Sequence, residues 1–189
     1  MPRLTNPDPT AVPVDVRDFL AFLPPDPMVQ MLTHSVSTVR PFIQLAQTLS
    51  HSLQLDDRAR ELVILVVAEY AECAFVAAQH EPTSAAAGVD ERTRALIRAR
   101  DTDSPELSPR DSAVVRFAAG VVTGPRISDD LFAMAQRHLS ERDIVEVLQV
   151  ATYYWSFSRI CTVLDVELTK VYGGRLPAPG ADAATACAD

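Results

Sequence analysis

Only one lysine, Lys170, occurs in 189 residues, the arginines are scattered, and acidic residues leave a net charge of −8 with a pI near 4.9. Neutralising the phosphates of a nucleic acid or an anionic membrane surface needs clustered cations, so neither partner is expected. Cysteine is also scarce. Cys73, Cys161 and Cys187 are odd in number and widely spaced, which disfavours a secreted disulfide framework and fits reduced thiols. A long hydrophobic run is missing as well: the longest, 62–68, falls well short of the roughly 20 residues that cross a bilayer. The Pro-rich start, residues 1–13, lacks the apolar centre of a signal peptide. These absences together lead to the expectation of a soluble cytoplasmic protein. No Gly-rich loop follows a strand, and no His-x-x-x-His or Glu-x-x-His cluster occurs, so no nucleotide cofactor and no metal is expected.

What the sequence does have is helical periodicity almost throughout, without any sustained two-residue alternation. The expected fold class is all-α, a single-domain bundle of about seven or eight helices over residues 14–172. Flanking it are a flexible N-terminal segment, 1–13, and a disordered tail, 173–189, whose Gly, Pro, Ala and Asp bury little. Short helices are expected at 14–23, closed by Pro24-Pro25, then at 27–33 and 37–52. A central helical stretch starts near Asp56-Asp57, where acids suit a helix N-terminus, and ends at Gly88. Asp90 and Ser108-Pro109-Arg110-Asp111 read as starts of further helices, Gly124-Pro125 as a break, and Ser128 and Ser140 as starts of the last two. The final helix is expected to reach about residue 172.

The central stretch, 60–80, carries a carboxylate at its start, a thiol past its middle and an imidazole at its end: Glu61, Cys73 and His80. In one straight helix Glu61 and Cys73 would stand about 18 Å apart, too far to share a substrate. The chain must therefore turn between them, and Tyr70-Ala71-Glu72 is the candidate place, although neither Gly nor Pro enforces it. Such a turn would put Cys73 at the N-terminus of a second helix, where the macrodipole favours a thiolate. Cys73 and His80 lie nearly on one helical face but roughly 10 Å apart, so a direct pair between them is not expected. The inferred site is a Glu61–His80 acid-base pair over a partly apolar floor that includes Val76, with desolvation moving both pKa values towards neutrality.

Arg-Glu-Leu-Val-Ile-Leu at 60–65, Cys73 seven residues before His80, Pro82, Ala87-Gly88, Leu139-Ser140-Glu141-Arg142 and Tyr153-Tyr154 form a recognisable set. Over roughly residues 28–168 this pattern resembles the carboxymuconolactone decarboxylase and alkylhydroperoxidase-D-like superfamily. The resemblance implies an all-α fold and assembly as a homo-oligomer, a trimer or hexamer. The peroxidase branch of that superfamily uses a Glu, a Cys-x-x-Cys and a His four residues later. These positions match Glu61, Cys73 and His80, while the second Cys, which attacks peroxide in those enzymes, falls on Val76. That departure removes the vicinal dithiol. The decarboxylase branch can do without the thiols.

The expected function is therefore cofactor-independent acid-base chemistry, decarboxylation or a related proton transfer, on a small organic acid, lactone or carbonyl compound. Glu61, His80 and Cys73 are the catalytic candidates. Val76, Tyr154 and Arg159 are the substrate-binding candidates, Arg159 because a guanidinium suits a carboxylate. The alternatives are a thiol-dependent hydroperoxide reductase using Cys73 alone and a non-catalytic oligomeric binder of small molecules. Structural roles compete with each assignment: Glu61 as a first-turn acid or as an ion-pair partner of Arg58 or Arg60, Cys73 as a small buried hydrophobe, Tyr153 and Tyr154 as core or interface. His34, His51, Cys161 and Cys187 are given no function.

Overall fold

A computed structural model describes residues 2–168, 170, 171, 177 and 178, and every regular element among them is helical. Nine α-helices are present among the described residues, in agreement with the all-α expectation. The described residues divide into two compact units. One holds the residues up to Leu53 and those from Leu164 onward, and the other holds Gln54–Val163.

In the first unit a short 3-10 turn, Pro9–Ala11, is capped by Asp8 and precedes α1 (Val14–Ala21), α2 (Pro27–Leu32) and α3 (Val36–His51). Pro24-Pro25 cannot extend α1, and Asp26 restarts the chain by accepting from the N–H groups of Met28 and Val29 at 2.7 and 3.1 Å. Val12, Val16, Leu23, Val39 and Ile43 form the buried core of this unit, so the N-terminal segment contributes Val12 to it. Apart from residues 177 and 178, the tail expected to be disordered lies outside the described residues.

The second unit is built on α4 (Asp57–Tyr70), which packs on α5 (Ala74–Ala86), α6 (Glu91–Arg98) and α7 (Pro109–Thr123). Every residue of α4 from Ala59 to Ala68 is buried, which is what an apolar run without a polar face demands: neighbours on all sides. The caps follow the sequence. Asp56 accepts from the Ala59 N–H at 2.9 Å, Asp90 from Thr93 at 2.8 Å, and Ser108 from Asp111 at 3.1 Å with Pro109 at the first helical position. Gly124 ends α7, and α8 (Asp129–Gln136), capped by Ser128, packs back on α7.

The last helix, α9 (Glu141–Leu164), opens with a reciprocal box in which Asp143 N–H donates to Ser140 Oγ and Ser140 N–H to Asp143 Oδ2, at 3.1 and 3.0 Å. It ends at Leu164, short of the expected residue 172. Asp165 there takes a left-handed conformation with φ 53°, which the short polar side chain of Asp tolerates better than most.

Candidate active site

The turn demanded by the spacing of Glu61 and Cys73 is present. α4 stops at Tyr70, Glu72 adopts φ 52°, and the N–H groups of Glu72 and Cys73 donate back to the carbonyls of Glu69 and Ala68 at 3.2 and 2.8 Å. This is a Schellman ending made without glycine. It leaves Cys73 as the N-cap of α5 and folds α5 back along α4. Because the turn lies midway between residues 61 and 80, the fold-back brings Glu61 and His80 together although a straight helix would hold them far apart.

Glu61 is only 2% exposed, and both carboxylate oxygens are occupied. Oε2 lies 2.9 Å from His80 Nδ1 and accepts from the Thr83 hydroxyl at 3.1 Å, while Oε1 accepts from Arg60 Nη2 at 3.2 Å. Burial pushes the carboxyl pKa up, but the charge and hydrogen bond of His80, then Arg60 and Thr83, outweigh it, and the net shift is downward. This corrects the expectation from desolvation alone: Glu61 is held as a carboxylate. A carboxylate only accepts, so Nδ1 of His80 must be the donor, leaving Nε2 to exchange a proton with a ligand. The His80 side chain keeps 18% of its surface exposed, which opens the pair to solvent.

Tyr154 of α9 closes the other side of His80. The two rings meet edge to face, 5.1 Å between centroids at 87°, within a cluster that continues through Tyr153 and Phe157 to Phe75. Burial, followed by the charge of Glu61, raises the Tyr154 phenol, which stays neutral.

Cys73 stands at the far end of the same α5 face, buried to 2% exposure. Its pKa is lowered to about 6, first by a hydrogen bond from Cys161, against the opposing effect of burial, then by the Val76 N–H, Ser158 and the Phe75 N–H. Ser158 is fully buried, its hydroxyl has no partner within ordinary hydrogen-bond geometry, and it is near enough to the Cys73 sulfur to favour the thiolate. Val76, read as apolar floor, thus also contributes its backbone N–H.

Of the candidates from sequence, the fold joins Glu61, His80 and Tyr154 at one end of the site and Cys73 with Val76 at the other. Arg159 is not brought to either: it is exposed on α9, where Nη1 reaches the Thr162 hydroxyl at 3.4 Å. Thr83, Ser158 and Cys161 were missed, whereas Arg60 is the ion-pair partner of Glu61 that the competing structural reading named. One signal for Cys161 was available in the spacing, since Tyr154 and Cys161 are separated on α9 by the same seven residues that separate Cys73 and His80 on α5. Among the described residues no cluster of His, Cys, Asp and Glu is arranged to hold a metal ion.

No known protein family and no curated protein matches the chain by sequence. Solved structures do match by fold. An uncharacterized peroxidase-related protein with an alkylhydroperoxidase AhpD core from Ralstonia eutropha JMP134 superposes with a TM-score of 0.75 at 14% identity, covering 89% of this chain and 93% of that one. A second uncharacterized peroxidase-related protein, from Silicibacter sp. TM1040, gives 0.74 at 17% identity over 92% and 95%. The debrominase Bmp8, in complex with 2,3,4-tribromopyrrole, gives 0.68 at 14% identity over 86% and 89%. The chain therefore has the alkylhydroperoxidase-D-like helical fold.

Proposed function

We propose that this protein is a thiol-dependent oxidoreductase that reduces a small organic hydroperoxide, with Cys73 as nucleophile and the Glu61–His80 pair as proton relay. The observation that carries this reading is the placement of Cys73 at the N-cap of α5, on the helix that also holds His80 against Glu61; the helix N-terminus and the groups around the sulfur lower its pKa to about 6 and favour the thiolate, its attacking form. The Cys73 sulfur attacks the terminal oxygen of the hydroperoxide, the O–O bond breaks, and the alkoxide takes a proton from His80 and leaves as an alcohol. Cys73 is oxidised to the sulfenic acid as the peroxide is reduced. A thiol then displaces water from the sulfenic acid to form a disulfide, and thiol–disulfide exchange releases Cys73. Overall, one hydroperoxide and two thiols become an alcohol, a disulfide and water.

His80 lies two helical turns beyond Cys73, about 10.5 Å along the axis, so the proton passes to the leaving alkoxide by way of the bound hydroperoxide or water rather than from sulfur to ring directly. Two fold neighbours described as peroxidase-related and one described as a debrominase support an enzyme. The test is consumption of cumene hydroperoxide with dithiothreitol. Cys73→Ser is expected to abolish it, and Glu61→Gln and His80→Ala to slow it by about 10²-fold or more. Undiminished turnover in Cys73→Ser would overturn the reading, as would an inactive wild type.

A second reading is decarboxylation or a related proton transfer by Glu61 and His80 alone. The buried, hydrogen-bonded pair favours it, since that pair is complete without the thiol. It predicts release of carbon dioxide from a carboxylated lactone or keto acid that survives Cys73→Ser and is lost in His80→Ala.

A further inference from the structure

We propose that Cys161 of α9 is the resolving thiol of Cys73, so that the two form a dithiol–disulfide centre bridging two helices far apart in sequence. The inference deepens the hydroperoxide reading and rests on it for the oxidant, but the pairing itself is geometric.

The register of α5 against α9 can be followed through its side chains. His80 meets Tyr154 at 5.1 Å between ring centroids, and Phe75 meets Phe157 at 6.4 Å. Residue numbers thus fall along α9 as they rise along α5, and the helices pass antiparallel. Stepping back seven residues from His80 reaches Cys73, and stepping forward seven from Tyr154 reaches Cys161. Two helical turns cover the same distance on both helices, so the cysteines come opposite one another. The Cys73 sulfur accordingly receives its hydrogen bond from Cys161.

Neither cysteine is joined in a disulfide, and each is 2% exposed. Ser158, one turn before Cys161 on the same face of α9, is fully buried, its hydroxyl has no partner in ordinary hydrogen-bond geometry, and it is among the groups that favour the Cys73 thiolate. A buried hydroxyl without a partner costs stability, and an anionic sulfur offsets that cost. Val76, where a vicinal second cysteine would stand in the superfamily pattern, supplies no sulfur, and Cys161 supplies one from the facing helix.

The asymmetry of the pair assigns the roles. Cys73 is the N-cap of α5, where the helix macrodipole and the first backbone N–H groups favour an anionic sulfur, whereas Cys161 lies in the last turn of α9, at the opposite end of a helix dipole. Once Cys73 is a sulfenic acid, the Cys161 sulfur attacks the Cys73 sulfur. The S–O bond breaks, the hydroxide leaves as water with the Cys161 proton, and an S–S bond forms. Two thiol–disulfide exchanges with an external dithiol restore both thiols. Protection by a neighbouring thiol limits further oxidation of the sulfenic acid, which a lone cysteine at this position would lack.

The experiment treats the full-length protein with one equivalent of cumene hydroperoxide and, separately, with diamide, which oxidises thiol pairs without a peroxide. Free thiols are counted in denaturant, and the digest is mapped by mass spectrometry without reduction. Both oxidants are expected to take the thiol count from three to one and yield a single Cys73–Cys161 cross-linked peptide. In Cys161→Ser and Cys161→Ala, dimedone is expected to trap a sulfenic acid on Cys73 that the wild type does not accumulate. Loss of peroxide with Cys73 joined to Cys187, joined to another copy, or overoxidised in wild type and Cys161→Ser alike would overturn the pairing and leave the peroxidase reading standing. A Cys73–Cys161 disulfide under diamide without any reaction with peroxide would uphold the pairing and sink the peroxidase reading. Absence of the disulfide under both oxidants overturns the pairing.

Discussion

Ionisation of Cys73 is the residue-level property on which the chemistry turns. Hydrogen bonds favour the thiolate in the folded chain, so the folded pKa, about 6, lies below the roughly 8.5 of a free thiol. Ionisation therefore contributes stability that is complete above the unfolded value and is lost as pH falls through about 6. The rate of alkylation by iodoacetamide should follow the thiolate, with half its plateau near pH 6. Removing the largest contribution, in Cys161→Ala, should move that midpoint up towards the ordinary thiol range. An unmoved midpoint would mean that Cys161 does not donate to the Cys73 sulfur. Glu61 behaves in the parallel sense, since His80, Arg60 and Thr83 together outweigh its burial.

At the scale of elements, the decisive feature is the turn between α4 and α5. Glu72 occupies a left-handed conformation, φ 52°, which favours glycine, and its side chain is exposed with only a long contact to Arg100 at 3.7 Å. The strain of a residue with a Cβ in this region is about 1 kcal/mol. Glu72→Gly should therefore raise the unfolding free energy by roughly that amount, less a fraction for the added freedom of the unfolded chain. Urea denaturation checks it, and a lower midpoint would show that Glu72 does more than turn the chain. The site geometry should survive the change, because the backbone hydrogen bonds from residues 72 and 73 do not involve the side chain.

For the whole molecule the expectation is a homo-oligomer, a trimer or hexamer, as the family resemblance implies. Val145 and Val163 on α9 and Phe132 on α8 are exposed at 51, 47 and 40%, apolar surface that association would cover. Light scattering at micromolar concentration should give a mass that is a multiple of 20.6 kDa, and a mass of one chain would refute it. No helix among the described residues is long and apolar enough to cross a membrane.

The sequence by itself determined the helical class and most helix ends, because these are local. Asp56, Asp90, Ser108, Ser128 and Ser140 cap the helices they precede, and Gly88, at φ 81°, ends α5. It also singled out Glu61, Cys73 and His80, and the need for a turn near residue 71, since the rise of a helix forbids their meeting otherwise. The tertiary structure alone decided what surrounds them. The downward shift of the Glu61 pKa depends on His80 first, then Arg60 and Thr83, whereas burial acting alone pushes it up. The role of Cys161 depends on how α9 is set against α5, a register fixed by rings packing across helices more than seventy residues apart in the chain. Capping and helix rise are written into neighbouring residues, whereas the partner of a buried thiol is chosen by packing between distant ones.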